Sequence, residues 1–276
     1  MGKSRIGVNK IMENILKYDS VVESVYQLLL QVSRSVNHSK KVDVNEKGRA
    51  DFVTNIDVNV ERKLIQGLQE VENIPCLAEE SYHFIDYSNY WTIDPIDGTT
   101  NYIHGYPSYC VSVAKIKDNV TKYGFVYNLA TKELFLGIKG EGAYLINTRK
   151  ATQQEIKVSG TKHLRDGLIA FGCPYDKSKT DRLFRSANKI LKSCHDLKRN
   201  GPASLDICYV ACGRFDGYFE LDLKEWDYKA AKMILEEAGG ELTNWQGDNI
   251  RKGSSNVLAS NKNIHQHLLS CLDNNI

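Results

Sequence analysis

Between positions 9 and 36 apolar side chains recur every three or four residues, at Ile11, Ile15, Val22, Val25, Leu29 and Val32. That spacing predicts a helix with one buried face. The polar stretch Asn37 to Arg49 reads as a mobile loop, and a second helix is expected from about Val58 to Glu72, with Val60, Leu64, Leu68 and Val71 aligned. Short strand-like runs follow at Cys76–Ala78, Tyr90–Ile93, Tyr109–Lys115, Tyr123–Tyr127 and Glu133–Ile138. Their close spacing leaves no room for crossover helices, which favours an antiparallel meander. Gly137, Gly140 and Gly142 are not read as a glycine-rich phosphate loop, because two of them flank Glu141 between strand-like segments, which favours a tight hairpin turn.

Beyond about residue 150 strands and helices alternate. Strands are expected at Leu168–Phe171, Asp196–Lys198, Gly217–Leu221 and Val257–Ala259. Helices are expected at Thr180–Lys192, Ala203–Cys212 and Asp227–Ala238, the last stopped by Gly239-Gly240, with one more at the end. The change of pattern divides the chain into two layered subdomains, 1–150 and 151–276, of an α+β protein.

Composition narrows the function without deciding it. The 276 residues are 42% hydrophobic and 25% charged, with 36 basic against 34 acidic side chains. A net charge of +2 gives no electrostatic case for a nucleic-acid partner or an anionic membrane. No apolar run approaches the ~20 residues of a membrane span. The start, Met1 to Ile6, lacks a secretion signal's apolar stretch, and Ile6 breaks the myristoylation pattern. The seven cysteines are scattered, and the one pair a helical turn apart, Cys208 and Cys212, has no matching second pair. Zinc is therefore not expected, and the set reads as the buried thiols of a cytoplasmic protein. His265 and His267 read as a solvated face without acidic partners.

The densest chemical signal is Asp94-Pro95-Ile96-Asp97-Gly98-Thr99-Thr100-Asn101. Pro95 keeps Asp94 extended, Gly98 permits a sharp turn, and Thr99 or Thr100 can cap a helix starting there. Two carboxylates attract a hard divalent cation, while backbone N–H groups at a helix start attract phosphate. Glu79-Glu80 follows a strand-like run, and Asp227 stands in the first turn of a helix, so each could complete a cage. Taken singly, Glu79-Glu80 reads better as a solvated loop and Asp227 as an ordinary helix cap. Together the acids suit a pair of ions about 4 Å apart.

These segments resemble the inositol monophosphatase family from about Ser20 to Leu269. The resemblance is carried by Lys47-Gly48 through Asp57, Glu79-Glu80-Ser81, Trp91 through Asn101, and Trp226-Asp227 through Gly240. Arg199-Asn200-Gly201-Pro202-Ala203 through Glu220 is similar to bacterial members. The resemblance implies an αβαβα sandwich, usually a homodimer inhibited by lithium, that uses two to three Mg2+ ions. It implies that Glu79, Asp94 and the Ile96 carbonyl hold one ion, and that Asp94, Asp97 and Asp227 hold a second. Thr99 and Asp57 would orient the attacking water, with Glu79 reaching a third ion. Gly98 and Thr99 would hold phosphate, and Asp97, Ala203 and Glu220 would contact the polyol.

The implied activity is magnesium-dependent hydrolysis of myo-inositol monophosphate or a close polyol phosphate. Fructose 1,6-bisphosphate, NADP and histidinol phosphate remain open as substrates, and a silent binding subunit is a further alternative. Thr100-Asn101 stands where the adenosine-bisphosphate branch carries Lys-Glu. Lys229, in a position the family keeps small, and Pro202, beside Ala203, depart from the pattern.

Overall fold

The computed structural model describes residues 20–36, 44–48, 51–83, 87–250 and 255–273. Five layers stack, each bound to the next by an apolar seam. The outermost layer is α1 (Ser20–Ser35) on α2 (Asn55–Val71). It covers a seven-stranded sheet of β3 (Cys76–Ala78), β4 (Tyr90–Asp97), β5 (Cys110–Lys117), β6 (Val120–Asn128), β7 (Glu133–Ile138), β8 (Gly142–Asn147) and β9 (Thr152–Glu155), hydrogen-bonded in that order. All neighbours are antiparallel except β3 and β4, which run parallel.

The middle layer is α5 (Ala203–Ala211) beside α6 (Glu225–Glu237). Behind it lies a mixed sheet of order β11 (Asp196–Lys198), β10 (Leu168–Phe171), β12 (Gly217–Glu220), β14 (Val257–Ser260), β13 (Glu241–Thr243). Its far face carries α4 (Thr180–Leu191) and α7 (His265–Cys271). A separate antiparallel ribbon joins β1 (Val44–Gly48) to β2 (Asp51–Thr54). The order α, β, α, β, α is the expected α+β sandwich.

Alternation along β5 shows how the seams are sorted. Val111 and Val113 join the outer core with Leu64, Trp91 and Ile93, whereas Cys110, Ala114 and Ile116 face the middle helices. A sheet covered on both faces needs apolar residues on both sides, which is why its strands read as nearly continuous hydrophobic runs. Gly124 and Gly137 stand opposite each other in β6 and β7. A Cβ at Gly124 would lie 2.3 Å from the Ala230 carbonyl oxygen, and one at Gly137 2.8 Å from the Ile234 Cα. The bare glycine pair lets the backbone of α6 settle onto the sheet, which fixes where its first turn points. Adding a methyl there would cost about 1–3 kcal/mol in overpacking.

Several elements differ from the sequence expectation. Residues 9–19 of the expected first helix lie outside the described residues. Within the expected loop, Val44–Gly48 is a strand. The glycine turn, by contrast, is as expected: Gly137 belongs to β7, and Gly140 and Gly142, at φ +80° and +101°, flank Glu141. β9 lies beyond residue 150 yet closes the first sheet, while α5 and α6 of the second half pack against it. His265 is buried rather than solvated: its ring bridges the Thr243 hydroxyl at 2.9 Å and the Ser260 hydroxyl at 2.8 Å.

Candidate active site

Asp94 and Asp97 are three residues apart, and a regular strand would aim them at opposite faces of the sheet. The pairing with β5 runs Asp94 to Ser112 and then Asp97 to Cys110, so β4 holds one residue more than its partner. This bulge falls at Pro95-Ile96, where proline's missing N–H leaves the ladder unbroken. The extra residue restores both carboxylates to the face of Ser112 and Cys110, toward the middle helices. The strand therefore continues through Asp97 rather than ending at Asp94, and Gly98, at φ +93°, turns it into the short helix α3 (Thr99–Ile103). Thr99 is the first residue of that helix and not its cap.

Glu79 arrives from the end of β3, where its N–H donates to the Ile93 carbonyl oxygen at 3.2 Å. The next N–H, of Glu80, donates to the Glu61 carboxylate on α2 at 2.7 Å, fastening the turn. Asp227 arrives from the opposite direction, in the first turn of α6, where its carboxylate accepts the Lys224 N–H at 2.7 Å. Ser204, at the start of α5, ties the two sides together. Its N–H donates to Asp97 Oδ2 at 2.9 Å, and its hydroxyl donates to the Asp227 carbonyl oxygen at 2.9 Å.

Burial pushes the Asp94 carboxyl well above the usual carboxylate range, and the charges of Glu79, Asp97 and Asp227 push it further. Asp227 is raised in the same direction by burial, Asp97 and Glu79. Burial lifts Asp97 to about 6 despite the hydrogen bond from the Ser204 N–H. Among the described residues Asp94 Oδ1 is buried without a hydrogen-bond partner. Four acids crowded in low dielectric, one with an orphaned oxygen, need positive charge. The donor set is all oxygen, so it fits a hard divalent cation such as Mg2+ and not zinc. Among the described residues, no three such side chains are already gathered tightly around one point.

Beside the acids, the Thr99 hydroxyl lies 3.1 Å from Asp57 Oδ1 and 3.0 Å from the Ile96 carbonyl oxygen. Asp57 is buried and cannot swing, because its Oδ2 accepts both the N–H and the hydroxyl of Thr54. Thr54 in return caps α2 by accepting the N–H groups of Ile56 and Asp57. Burial raises the Asp57 carboxyl, and the bonds from Thr54 and Thr99 oppose the shift.

A cleft of about 110 Å³ opens next to these residues, lined by Asp97, Thr99, Arg199, Ala203, Glu220 and Asp227 among others. Glu220 ends β12 and is buried, with the Tyr218 hydroxyl donating to its Oε2. Burial lifts it to about 8, against the hydrogen bond from Tyr218. Pro202 precedes α5 and would meet a Gly98 Cβ at 3.3 Å, so it packs against the turn. Lys229 does not line this cleft. It pairs with Glu225 at 3.3 Å and borders a separate groove with Asn119 and Lys232.

A model of the inositol monophosphatase family matches residues 12–276. The chain belongs to that family. It is 35% identical to the Nus factor SuhB of Vibrio cholerae, over 86% of this chain and 90% of that protein. It is 30% identical to an inositol-1-monophosphatase of Caulobacter vibrioides, over 91% of this chain and 99% of the relative. Among solved structures, the extragenic suppressor protein suhB from Bartonella henselae superposes with a TM-score of 0.86 at 30% identity, covering 94% and 100% of the two chains.

Of the expected site residues, Asp97, Gly98, Thr99, Ala203, Glu220 and Asp227 line the cleft; Asp57 and the Ile96 carbonyl reach it through the Thr99 hydroxyl, and Glu79 and Asp94 lie behind Asp97 and Asp227, within electrostatic reach of them. Sequence reasoning missed Thr54, Glu61 and Ser204, which hold the functional groups from behind. It also missed Asp206, buried in α5, whose carboxylate accepts the Asn200 side-chain amide at 2.9 Å and shapes the loop before Ala203. Burial lifts Asp206 to about 7. Only the threonine three residues before Asp57 carried a readable signal, that of a capping box.

Proposed function

We propose that this chain is a magnesium-dependent phosphomonoesterase that hydrolyses myo-inositol monophosphate or a close polyol phosphate. The observation that carries the reading is the crowding of the acids Glu79, Asp94, Asp97 and Asp227, with the orphaned Asp94 Oδ1 beside a polar cleft. Glu79, Asp94 and the Ile96 carbonyl would hold one Mg2+, and Asp94, Asp97 and Asp227 a second. When bound, the ions lower the pKa of water toward neutrality and neutralise the phosphate oxygens.

The rest is done by the chain. Thr99 donates its hydroxyl proton to Asp57, which leaves its lone pairs free to accept a proton from the attacking water. Asp57 keeps that direction because Thr54 pins its other oxygen. Gly98 and Thr99 N–H groups receive the phosphate, and Ala203, Asp97 and Glu220 meet the polyol. The Glu220 carboxyl can accept hydrogen bonds from ring hydroxyls. The same reading makes the protein a cytoplasmic homodimer.

Relatives carry two names, Nus factor and inositol-1-monophosphatase. A chain serving only as a binding factor would be more stable without four crowded acids, one of them fully buried, and this supports catalysis here. The test is phosphate release in Mg2+ from inositol monophosphates, fructose 1,6-bisphosphate, NADP and histidinol phosphate. The inositol esters are expected to show the highest kcat/KM, and chelation is expected to stop turnover. Activity that survives exhaustive EDTA would sink the metal reading, and preference for another ester would replace the substrate.

A further inference from the structure

The two walls of the cleft are built differently. One is the short α3 turn with Arg199 to Ala203, held by Ser204 and Asp206. The other is the segment that leaves β10 and returns to the sandwich at α4. The Gly172 N–H donates to the Phe219 carbonyl oxygen at 3.2 Å, and a Cβ at Gly172 would stand 2.0 Å from Glu220 Oε2. The segment crosses directly over Glu220, and a side chain at position 172 would push the Glu220 carboxyl from its place. Cys173, Pro174 and Tyr175 then line the cleft.

This second wall is tied at both levels. Internally, Lys177 Nζ donates to the Pro174 carbonyl oxygen at 3.0 Å, and Asp176 accepts the Ser178 N–H at 3.0 Å and its hydroxyl at 2.7 Å. Externally, Lys179 Nζ grips both carboxylate oxygens of Asp222 at 2.5 Å each. Asp222 lies two residues beyond Glu220 and holds a left-handed backbone, φ +67°, which is uncommon for a residue with a side chain. The pair also cancels an acid at the mouth of a cleft meant for a phosphate dianion.

We infer that residues 173–175 are the selectivity wall for the alcohol part of the ester, and that Lys179 and Asp222 are its positioning pair. Tyr175 lines the cleft yet is 58% exposed, so an incoming ligand has an aromatic surface to cover. A ring polyol presents a broad C–H face to such a surface, whereas a short open-chain alcohol does not. The wall therefore selects cyclic polyol monophosphates over small acyclic ones. This inference deepens the phosphomonoesterase reading and rests on it.

The test compares kcat/KM for myo-inositol 1-phosphate and glycerol 2-phosphate. The double variant Lys179→Met with Asp222→Asn removes the tie without leaving a charge at position 222, while Asp176, 3.8 Å from Lys179, keeps its hydrogen bonds from Ser178, and asparagine tolerates the left-handed backbone. The ratio of ring to acyclic ester should fall about three- to fivefold, the scale of a partly exposed ion pair, through KM for the ring ester. Tyr175→Ala, on the surface, should lower the ratio about five- to tenfold. Lys179→Met alone should raise KM for both esters, because Asp222 is then unpaired. A ratio unmoved by the double variant and by Tyr175→Ala overturns the inference. A ratio moved only by Tyr175→Ala overturns the positioning role and keeps the wall. Calorimetric binding of both esters in Ca2+, which supports little turnover, reads the same ratio without chemistry. A chain that binds the ring ester selectively but hydrolyses neither in Mg2+ would refute the phosphatase reading and support the wall.

Discussion

Glu133 and Asp94 both sit in the same sheet, and their surroundings are opposites. Glu133, on β7, is met by both Nη atoms of Arg214 at 2.9 and 2.5 Å, and those bonds hold its carboxyl below the usual range. Asp94, on β4, has three acids for neighbours and an oxygen with no partner among the described residues. The first acid strengthens the fold by itself. The second weakens the fold until a cation arrives, and that difference separates a structural carboxylate from one kept for chemistry.

The comparison is broken most severely at Asp94. Asp94→Asn should abolish turnover while raising the melting temperature in EDTA, by about 2–4 °C per kcal/mol of relieved repulsion. Mg2+ should stabilise the natural chain and leave the variant nearly unmoved. Normal turnover with normal magnesium dependence in the variant would remove Asp94 from the ligand set. Next in size, Thr99→Ala should slow single-turnover hydrolysis by about 10²–10³, the scale of one oriented catalytic hydrogen bond, while sparing Mg2+ binding. An unchanged rate constant would exclude Thr99 from the mechanism.

Arg214→Met tests the other side of the contrast. It should destabilise the chain by about 1–2 kcal/mol in chemical unfolding, a value discounted for the half-exposed guanidinium, with kcat retained. Stability gained on losing Arg214 would mean that Glu133 does not depend on it. The smallest effect is a slope. Asp97, Asp206 and Glu220 are raised to about 6, 7 and 8, so the fold binds more protons than the unfolded chain above the usual carboxylate range. Their contribution is fully present below about pH 4 and is lost as pH rises through those values. In EDTA, stability should therefore fall from pH 5 to 8, most steeply at the acid end where all three groups contribute, and Mg2+ should flatten the slope. A stability that rises over that range in EDTA would contradict the raised values.

Much of this was legible in one dimension. Strands 133–138, 168–171 and 196–198 match the expectation residue for residue, because buried strands bounded by turn residues advertise their own ends. The ligand string was legible because carboxylates, proline and glycine together have few structural explanations. The bulge was not, since its existence depends on counting residues against β5, sixteen positions downstream. Ser204 was read as part of a helix start, and nothing in its neighbours says that its N–H faces Asp97. His265 looked solvated because its two partners, Thr243 and Ser260, lie on other elements. Periodicity reports which face of an element is buried and is silent about what stands across the seam.

The middle layer of two helices has a kinetic consequence. Glu79, Asp97 and Asp227 meet only after α6 has been trapped between sheets whose strands span residues 76 to 260. Loops of that length close slowly, because the entropy of closure precedes the contacts that repay it. A nascent or half-unfolded chain therefore has separated, well-hydrated acids with little hold on a cation. Catalytic competence arrives last, as a certificate that the whole sandwich has closed, and partly folded molecules stay chemically silent.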